Sequence, residues 1–370
     1  MEYSAYRVHG ASVSLAVFGH GRREAHAIVT AEGGAPFGEQ LSAVCGAIDS
    51  LAAATRGMTP VWKRWFLSDI ANQYALLPAD EPCAVSHIQQ PPLNGAKLAV
   101  WVVLQADAGY RPLGDGVYAD SRGRIIVGDG PATTASPHDI TVDSLARVAD
   151  MLENFGSSLR EGCVRTWFMV RDIDMNYGGV VTGRNEEFAR RGLTRHTRFI
   201  ASTGIGGTPA AKDQSVAFNA ICDTRLTPDR IGYLDGPTHF NPTADYGVAF
   251  ERGTTVDYAD RRHVYISGTA SINNRGEVMH PGDIRMQTRR MLENVGVLLA
   301  EAGCGFGDMA SALVYLRDIA DAAVVDSIFE EIAPGVPRVI LLAPVCRPGW
   351  LVETECVAIR IASHPEYAEF

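Results

Sequence analysis

Cysteine patterns that mark metal or redox sites are missing from this sequence. None of its seven cysteines forms a C-x-x-C pair, and none is spaced with histidines as in a zinc site. We therefore expect no metal site, and reduced, mostly buried thiols of the kind found in cytosolic proteins. The cysteines are Cys45, Cys83, Cys163, Cys222, Cys304, Cys346 and Cys356.

Long apolar runs and an excess of positive charge are also missing. No stretch approaches the roughly 20 apolar residues of a membrane-spanning helix, and the segment MEYSAYRVHG lacks the apolar core of a signal peptide. The formal net charge of −10 gives no electrostatic reason to expect nucleic acid or an anionic membrane as a partner. We expect a cytoplasmic protein, and an anionic small-molecule substrate would need arginines gathered at its site.

The sequence does contain an internal repeat within its 370 residues. The tetrapeptide MLEN occurs at 151–154 and 291–294, and each copy precedes a helical stretch, an apolar strand followed by Arg-Asp, and a second helix. A short strand that starts at Arg198 or Arg338 comes next, and a last apolar strand closes the series. The strand composition and the helical i, i+3, i+4, i+7 spacing predict a β-β-α-β-α-β-β unit, with both helices on one face of its sheet.

A fainter third copy lies at the N-terminus, with the helix GEQLSAVCGAIDSLAAA and the strand WKRWFLSDIAN. The strand pairs that open the three copies are predicted at ASVSLAVF and EAHAIVTA, at GVYADS and RIIVGDG, and at VAFERG and HVYISGTASI. The prediction is one α+β chain of three tandem units, residues 1–106, 107–228 and 229–370, which are separated by loops rich in Gly, Pro, Asn and Asp.

The third unit resembles the RidA/YjgF family over nearly its whole length. The matching segments are DYGVAFERG with Tyr246, YISGTASI with Gly268, GDIRMQTRRMLENV, PRVILLAP with Arg338, and LVETECVAI with Glu353. This resemblance implies a trimer of units with sites in the clefts between them, where an arginine binds the substrate carboxylate and a glutamate orients a reacting water. Three such units in one chain imply a pseudo-trimer, and therefore a monomer in solution.

The three copies differ at the positions that would form this site. Laying the last strands over one another places Glu353 opposite Ala217 in the second unit and Ala99 in the first. Arg338 has a counterpart in Arg198, whereas the first unit has none in VSHIQQPP. We therefore expect only one of the three clefts to hold an arginine and a glutamate together.

The whole chain, and not only its third unit, resembles the chorismatase family. The segments that carry this resemblance are RWFLSDIANQ, HIQQPPLNG, TWFMVRDIDMNYGGVVTGRNEEFARRGLT, FIASTGIGG, HVYISGTAS and LLAPVCRPGWLVETECVAI. Chorismatases split chorismate into pyruvate and a ring acid without a metal or an organic cofactor. The resemblance therefore implies this reaction, with chorismate as the substrate and no cofactor.

The chemistry of chorismate agrees with the residue types at hand. Its two carboxylates call for bidentate arginines, and Arg338 is the first candidate and Arg165 the second. An enol ether is broken by protonating its terminal carbon, which needs a carboxylic acid that stays protonated near neutral pH. Burial raises the pKa of a carboxyl toward that range. Glu353 is the predicted general acid, and it should not touch Arg338 tightly during proton transfer, since that contact would lower its pKa.

Two further positions bear on the product. If water attacks, the product is a dihydroxy-cyclohexadiene acid; if the ring hydroxyl attacks, the ring aromatises to 3-hydroxybenzoate. Gly268 and Cys346 match the aromatising branch of the chorismatases and so predict a 3-hydroxybenzoate synthase.

Two alternatives stay open. The first is RidA-like hydrolysis of reactive imines or enamines, in which Arg338, Glu353 and Tyr246 would serve. The second is a non-catalytic sensor that binds a small anionic metabolite in the same cleft.

Overall fold

The computed structural model describes the backbone of residues 1–370 and every side chain except that of Tyr246. The expected role of Tyr246 therefore lies outside the described side chains. The strands form three separate sheets with helices packed against them, which confirms the α+β prediction of three units in one chain. None of the helices in the described structure is both long and apolar enough to cross a bilayer.

The first sheet is built mainly from the N-terminal third of the chain. Its elements are β1 Glu2–Val8, β2 Ala11–Phe18, β3 Glu24–Ala31, α1 Phe37–Ala54, β4 Thr59–Leu67, α2 Ile70–Gln73, β5 Ala84–Gln89 and β6 Leu98–Gln105. The strand order is β1-β2-β3-β6-β4-β5, and a short strand from the second unit extends the sheet beside β5.

The second sheet follows the same plan with longer helices. Its elements are β7 Arg111–Gly114, β8 Val117–Ala119, β9 Arg124–Val127, α3 Pro137–Asn154, α4 Leu159–Gly162, β10 Cys163–Val170, α5 Ile173–Arg190, β11 Ala201–Gly206 and β13 Val216–Asp223, with β12 Thr208–Pro209 being the short strand that joins the first sheet. The strand order is β11-β10-β13-β9-β8-β7.

The third sheet carries the C-terminal unit. Its elements are β14 Ile231–Leu234, β15 Gly253–Asp257, β16 Arg261–Ala270, α6 Ile284–Glu301, β17 Met309–Leu316, α7 Ala322–Ile332, β18 Arg338–Leu342 and β19 Val352–Ile361, in the strand order β14-β15-β16-β19-β17-β18. Short 3₁₀ turns complete the chain at Tyr74–Leu76, Pro228–Arg230, Thr243–Tyr246, Phe306–Asp308 and Ile319–Asp321.

The three sheets share one topology. In each, a single parallel pair, β4 with β5, β10 with β11 or β17 with β18, lies beside the long last strand, and the other pairs within the unit are antiparallel. This shared order confirms the repeat. Two details differ from the prediction: each sheet has an extra edge strand, β1, β7 or β14, and the second helix of the first unit is reduced to the single turn α2.

One predicted opening strand is wrong. Residues 248–252 of VAFERG lie outside the extended strands, and the first strand of the third unit's hairpin is instead β15, which begins at the last residue of that segment and has the sequence GTTVD. The apolar residues of VAFERG are used elsewhere, because Val248 and Phe250 form a wall of the cleft described below.

The repeated MLEN segments are not equivalent in the structure. The first ends helix α3, whereas the second lies in the middle of α6. The hydroxyls of Thr141 and Thr288 both donate to the carbonyl oxygen four residues earlier, which aligns the two helices. This alignment brings Met151 level with Leu298, two helical turns beyond Met291. The repeat is real, but this tetrapeptide identity within it is coincidental.

The units meet through backbone hydrogen bonds between a strand edge of one and a neighbouring sheet. Glu251 donates to the carbonyl of Ile200 between the second and third units at 3.1 Å. Leu93 donates to Ile340 between the first and third at 2.9 Å, and Asp129 donates to Val85 between the first and second at 2.8 Å. Three clefts of related geometry result.

Candidate active site

Glu353 lies at the second position of β19, with β16 on one side and β17 on the other. It pairs with Ala270 and Tyr315, and only 4% of it is exposed. In the second unit the residue at the same register is Ala217, opposite Met169, and in the first unit it is Ala99, opposite Phe66. The strand pairing therefore agrees with the alignment of Glu353 with these two alanines.

A β-bulge brings the backbone of Gly268 against this carboxyl. The register between β16 and β19 shifts between Ile266 and Thr269, so that Gly268 is left outside the regular pairing. A Cβ atom on residue 268 would lie 2.1 Å from Glu353 Oε1. With the carboxyl in this position only glycine fits, since any side chain would displace it.

The cleft around Glu353 lies between the second and third units. The open space that remains is small, about 40 Å³, close to the volume that one water molecule occupies in the liquid. A ligand the size of a cyclohexadiene acid therefore requires lining side chains to move. The lining comes from α5 and β11 of the second unit and from the loops and strands of the third: Tyr177, Arg184, Ser202, Thr203, Gly204, Val248, Phe250, Arg252, Gly268, Ala270, Ile272, Cys346, Arg347, Trp350 and Glu353.

Three arginines make this cleft positive in an otherwise acidic protein. Arg184 projects from α5, Arg252 precedes β15, and Arg347 follows Cys346. Arg184 is 1% exposed, and its Nε and Nη2 atoms have no hydrogen-bond partner among the described residues. Buried donors without acceptors are costly. The arrangement therefore suits an anionic ligand whose oxygens would accept from them.

Burial and a neighbouring negative charge keep Glu353 protonated at neutral pH. The pKa of this carboxyl is raised to about 8, first by its removal from water and then by the charge of Glu355, against the opposing effect of Arg165 and Arg252. A carboxylic acid with a pKa in this range can donate a proton to a substrate at pH 7.

Comparison with known proteins identifies the third unit. The profile of the family described as Endoribonuclease L-PSP matches residues 253–360. The 3-aminoacrylate deaminase RutC of Acinetobacter baylyi (strain ATCC 33305 / BD413 / ADP1) is 31% identical over 97 residues, which are 26% of this chain and 77% of that protein. The chain belongs to the Endoribonuclease L-PSP family, of which RidA/YjgF proteins are members. This confirms the RidA-like nature of the repeat.

The three-unit arrangement also has a solved counterpart. A crystal structure of a chorismatase at 1.08 Å resolution aligns with a TM-score of 0.67, covering 81% of this chain and 93% of that chain at 17% sequence identity. An identity this low shows the fold alone. The fold of this L-PSP family member is thus that of a chorismatase.

Arg338 does not reach the Glu353 cleft, which corrects the arginine–glutamate pairing expected from the sequence. Its guanidinium bonds to Asp326 at 2.7 Å and Glu330 at 2.9 Å, both on α7. It lines a different cavity of about 430 Å³ that faces the first unit at residues 92–94. The reason is geometric: β18 of the third unit faces the first unit, whereas β11 of the second unit faces the third.

The alignment of Arg338 with Arg198 was wrong as well. Leu341 of the third unit and Ile205 of the second occupy equivalent positions in their parallel strand pairs. The residue of the second unit that is equivalent to Arg338 is therefore Ser202 and not Arg198. The position that holds an arginine in the third unit therefore holds a small polar residue in the Glu353 cleft.

Arg165 and Cys346 lie close to Glu353 but in different ways. Arg165 is fully buried beneath the cleft, where it bonds to Glu355 and to Thr203 Oγ1, and its guanidinium stacks on Trp167 at 4.5 Å. It supports the cleft floor and is not among the lining residues. Cys346 does line the cleft, and burial raises the pKa of its thiol to about 12, so it serves as a neutral wall and not as a nucleophile.

Sequence reasoning missed the arginines that line the cleft. Arg184 could have been noticed, since it shares the buried face of α5 with Val180, Gly183 and Glu187, and an arginine on such a face needs a partner. Arg252 and Arg347 lie in loops, where spacing in the sequence carries no signal.

The cleft between the first and second units carries a histidine–aspartate pair. Asp129 occupies the position in the second unit that Gly268 occupies in the third, because Val127 and Ile266 have the same register. The carboxylate of Asp129 lies 3.0 Å from His87 Nδ1 and accepts a hydrogen bond from the backbone N–H of His87 at 2.7 Å. This cleft therefore has an alanine in place of the glutamate and a histidine–aspartate pair at the position of the glycine.

Proposed function

We propose that this chain cleaves the enol ether of chorismate in the cleft between the second and third units, releasing pyruvate and a ring acid. The observation that carries this proposal is the buried Glu353 carboxyl, with a pKa of about 8 beside three arginines. An enol ether breaks after proton transfer to carbon, and a dianionic substrate needs several cationic donors.

Arg184 is the proposed anchor for one substrate carboxylate. Its two unpartnered N–H groups offer the bidentate geometry that a carboxylate accepts. Arg347, which follows Cys346, and Arg252, whose guanidinium lies 5.3 Å from the centre of the Phe250 ring, would bind the other carboxylate. This arrangement replaces the clamp by Arg338 expected from the sequence.

The reaction starts with proton transfer from Glu353 to the terminal methylene carbon, which becomes the methyl group of pyruvate. The bond between the ring and the ether oxygen then breaks, and its electron pair forms the keto group of pyruvate. In the aromatising branch the oxygen of the ring hydroxyl bonds to the ring carbon that has lost the ether oxygen, and the proton of this hydroxyl returns to Glu353. The oxygen then breaks its bond to the ring carbon that carried it at first. A ring hydrogen passes to this oxygen, so that 3-hydroxybenzoate and pyruvate together have the composition of chorismate.

We propose the aromatising branch, and with it 3-hydroxybenzoate as the ring product, because of Gly268 and Cys346. Gly268 lets the carboxyl of Glu353 lie directly against the strand backbone, and Cys346 supplies a neutral wall of moderate size. In the hydrolytic branch one water would be taken up and the product would be the cyclohexadiene acid.

A second candidate function is hydrolysis of a small enamine or imine. It is favoured by the likeness to a protein named 3-aminoacrylate deaminase, and a protonated Glu353 would also serve to protonate an enamine carbon. The three clefts of this chain differ, however, and its cleft arginines suit a larger dianion.

The test is to incubate the purified protein with chorismate and identify the products by chromatography and mass, with 2-aminoacrylate generated in a parallel reaction. Equal amounts of pyruvate and 3-hydroxybenzoate are expected. Glu353→Gln should lower the rate at least 10²-fold, whereas the surface control Glu39→Gln on α1 should retain it. Consumption of 2-aminoacrylate alone would favour the second candidate, and binding of chorismate without turnover would favour a sensor.

A further inference from the structure

Glu355 lies two residues beyond Glu353 on the same face of β19, in a very different environment. Its Oε1 accepts from Trp167 Nε1 at 2.8 Å and from Tyr315 Oη at 3.0 Å. Its Oε2 accepts from Arg165 Nη2 and from Thr203 Oγ1. Arginine and tryptophan can only donate, so Glu355 acts here as a carboxylate that accepts at both oxygens. None of these donors bonds to Glu353.

Thr203 connects this carboxylate to the cleft. Its single hydroxyl hydrogen is used in the bond to Glu355, so its oxygen is free to accept. It accepts from Arg165 Nη2 at 2.5 Å and from the backbone N–H of Gly268 at 2.9 Å. Thr203 belongs to the second unit and Gly268 to the bulge of the third. The chain Glu355–Thr203–Gly268 therefore fixes the backbone against which the Glu353 carboxyl lies.

The structure assigns to Glu355 the part of a positioning residue, which acts through Thr203 and the amide of Gly268 to hold the Glu353 proton donor in place. This inference rests on the proposed function of Glu353, and it adds a residue that does not touch the substrate.

The charge of Glu355 also helps to keep Glu353 in its protonated form. A carboxylate next to Glu353 disfavours a second negative charge, and it is the largest contribution to the raised pKa of Glu353 after burial. Arg165 and Arg252 oppose it. The other titratable or charged groups that face Glu353 are Tyr177 and Arg184 from α5, and Cys346 and Arg347 from the loop after β18.

The neighbouring arginines explain why removing this charge should be felt at Glu353. Arg165 bonds to Glu355, and Arg64 Nη1 lies 3.8 Å from its Oε1. Without the carboxylate, two buried positive charges would lose their compensation and would favour ionised Glu353 instead.

The other two units do not repeat this arrangement. The residues at the register of Glu355 are Asn219 in the second unit and Trp101 in the first. The only unit of the three with a glutamate at the donor position is thus the one with a carboxylate two residues later. A general need to neutralise Arg165 does not by itself account for the bond from Gly268 to Thr203.

The experiment compares Glu355→Gln with wild type in the pH dependence of kcat for pyruvate release from chorismate. We expect the fall of kcat at high pH to begin at least one pH unit lower in Glu355→Gln than in wild type. The loss of kcat at pH 7.5 should be largely recovered at pH 6. The matched control is Glu24→Gln. Glu24 is another buried glutamate, which lies away from the cleft and forms a 3.1 Å hydrogen bond with His26. This variant should leave the fall of kcat at its wild-type pH. A Glu355→Gln profile lowered equally at all pH values would contradict the electrostatic part of the inference, and wild-type kcat at every pH would overturn the inference as a whole.

A second variant guards against misfolding of Glu355→Gln. Thr203→Val removes the hydroxyl that links Glu355 to Gly268 and keeps every charge, so kcat should fall about tenfold or more with its fall at high pH unmoved, and Thr203→Ser should restore it. Wild-type kcat in Thr203→Val would contradict the positioning role.

An activity-independent measurement separates this inference from the proposed function. The carboxyl carbonyl band of Glu353, taken as the infrared difference between wild type and Glu353→Gln, should titrate at lower pH when residue 355 is glutamine. If wild type fails to cleave chorismate but this band shifts, the function is wrong and the coupling stands. If the band does not move, the coupling is wrong.

Discussion

At the scale of single residues, Glu353 and Glu355 show how strongly location decides the behaviour of a side chain. Both carboxyls are 4% exposed and lie on one strand face. Glu355 accepts hydrogen bonds from charged and neutral donors at both oxygens, while Glu353 lies against the backbone of Gly268 and a small open space. Two carboxyl groups placed in unlike environments are a common arrangement in acid catalysis.

The raised pKa of Glu353 leads to a prediction for the wild-type enzyme. In the proposed mechanism the protonated form of Glu353 is the active one, so kcat should be flat on the acidic side of neutral and fall as the pH rises through about 8. Steady-state pyruvate release measured from about pH 6 to 9.5 would check this. A rate that instead rises through pH 8 would mean that the carboxylate acts as a base.

A second prediction concerns the choice of product. In Gly268→Ala combined with Cys346→Val, the new methyl group at 268 would displace the Glu353 carboxyl, since the Cβ position is 2.1 Å from Oε1. The total rate should fall, and the ratio of cyclohexadiene acid to 3-hydroxybenzoate should rise about tenfold, which corresponds to roughly 1.4 kcal/mol between the two transition states. Product ratios by chromatography measure this, and an unchanged ratio would remove both positions from the control of the branch.

The prediction of Glu353 came from the resemblance of the third unit to the RidA/YjgF family, and the alanines at this position in both other copies singled it out. The sequence could not predict the arginines that accompany it. Arg338 belongs to the same unit as Glu353 but faces a different neighbour, and which strand faces which unit depends on the packing of the sheets. Arg184 comes from the second unit, and only the assembled cleft brings it to Glu353.

At the scale of elements, α5 and β11 supply the second unit's half of the cleft. Strand β11 presents Ser202–Gly204 next to the bulge in β16, and α5 presents Tyr177 and Arg184. The sequence predicted both elements from their periodicity. The alignment of α3 with α6 on the repeated MLEN motif was wrong. The two MLEN segments lie about two turns apart once the helices are aligned by their starts, so they share a helix face without being equivalent.

The role of α5 gives a prediction that separates binding from chemistry. Arg184→Gln removes the two unpartnered buried donors, and loss of a charged hydrogen bond of about 1.5–3 kcal/mol should raise KM for chorismate roughly 10- to 100-fold, with a smaller change in kcat. Arg190→Gln at the exposed end of the same helix, where Arg190 pairs with Glu186 and Glu187, is the control and should leave KM unchanged. An unaltered KM in Arg184→Gln would show that this arginine does not bind the substrate.

At the scale of the whole molecule, three fused units have diverged into three unlike clefts. One holds Glu353 with the arginines, one holds the His87–Asp129 pair, and one holds Arg338 with its two acidic partners. Fusion allows this divergence, because each cleft of a chain can change alone while the clefts of a homotrimer must change together.

Fusion also predicts the oligomeric state. Since all three units and all three clefts are supplied by one chain, the protein should be a monomer of 39.9 kDa. Light scattering coupled to size exclusion would show this, and a stable particle of three times that mass would contradict it.

We propose that one cleft, between the second and third units, holds and protonates the substrate. The crystal structure of Glu353→Gln soaked with chorismate would test this. We expect density for the intact substrate in this cleft, with one carboxylate on Arg184 and the terminal methylene carbon within reach of residue 353. Density in the Arg338 cavity instead, with the Glu353 cleft empty, would contradict it.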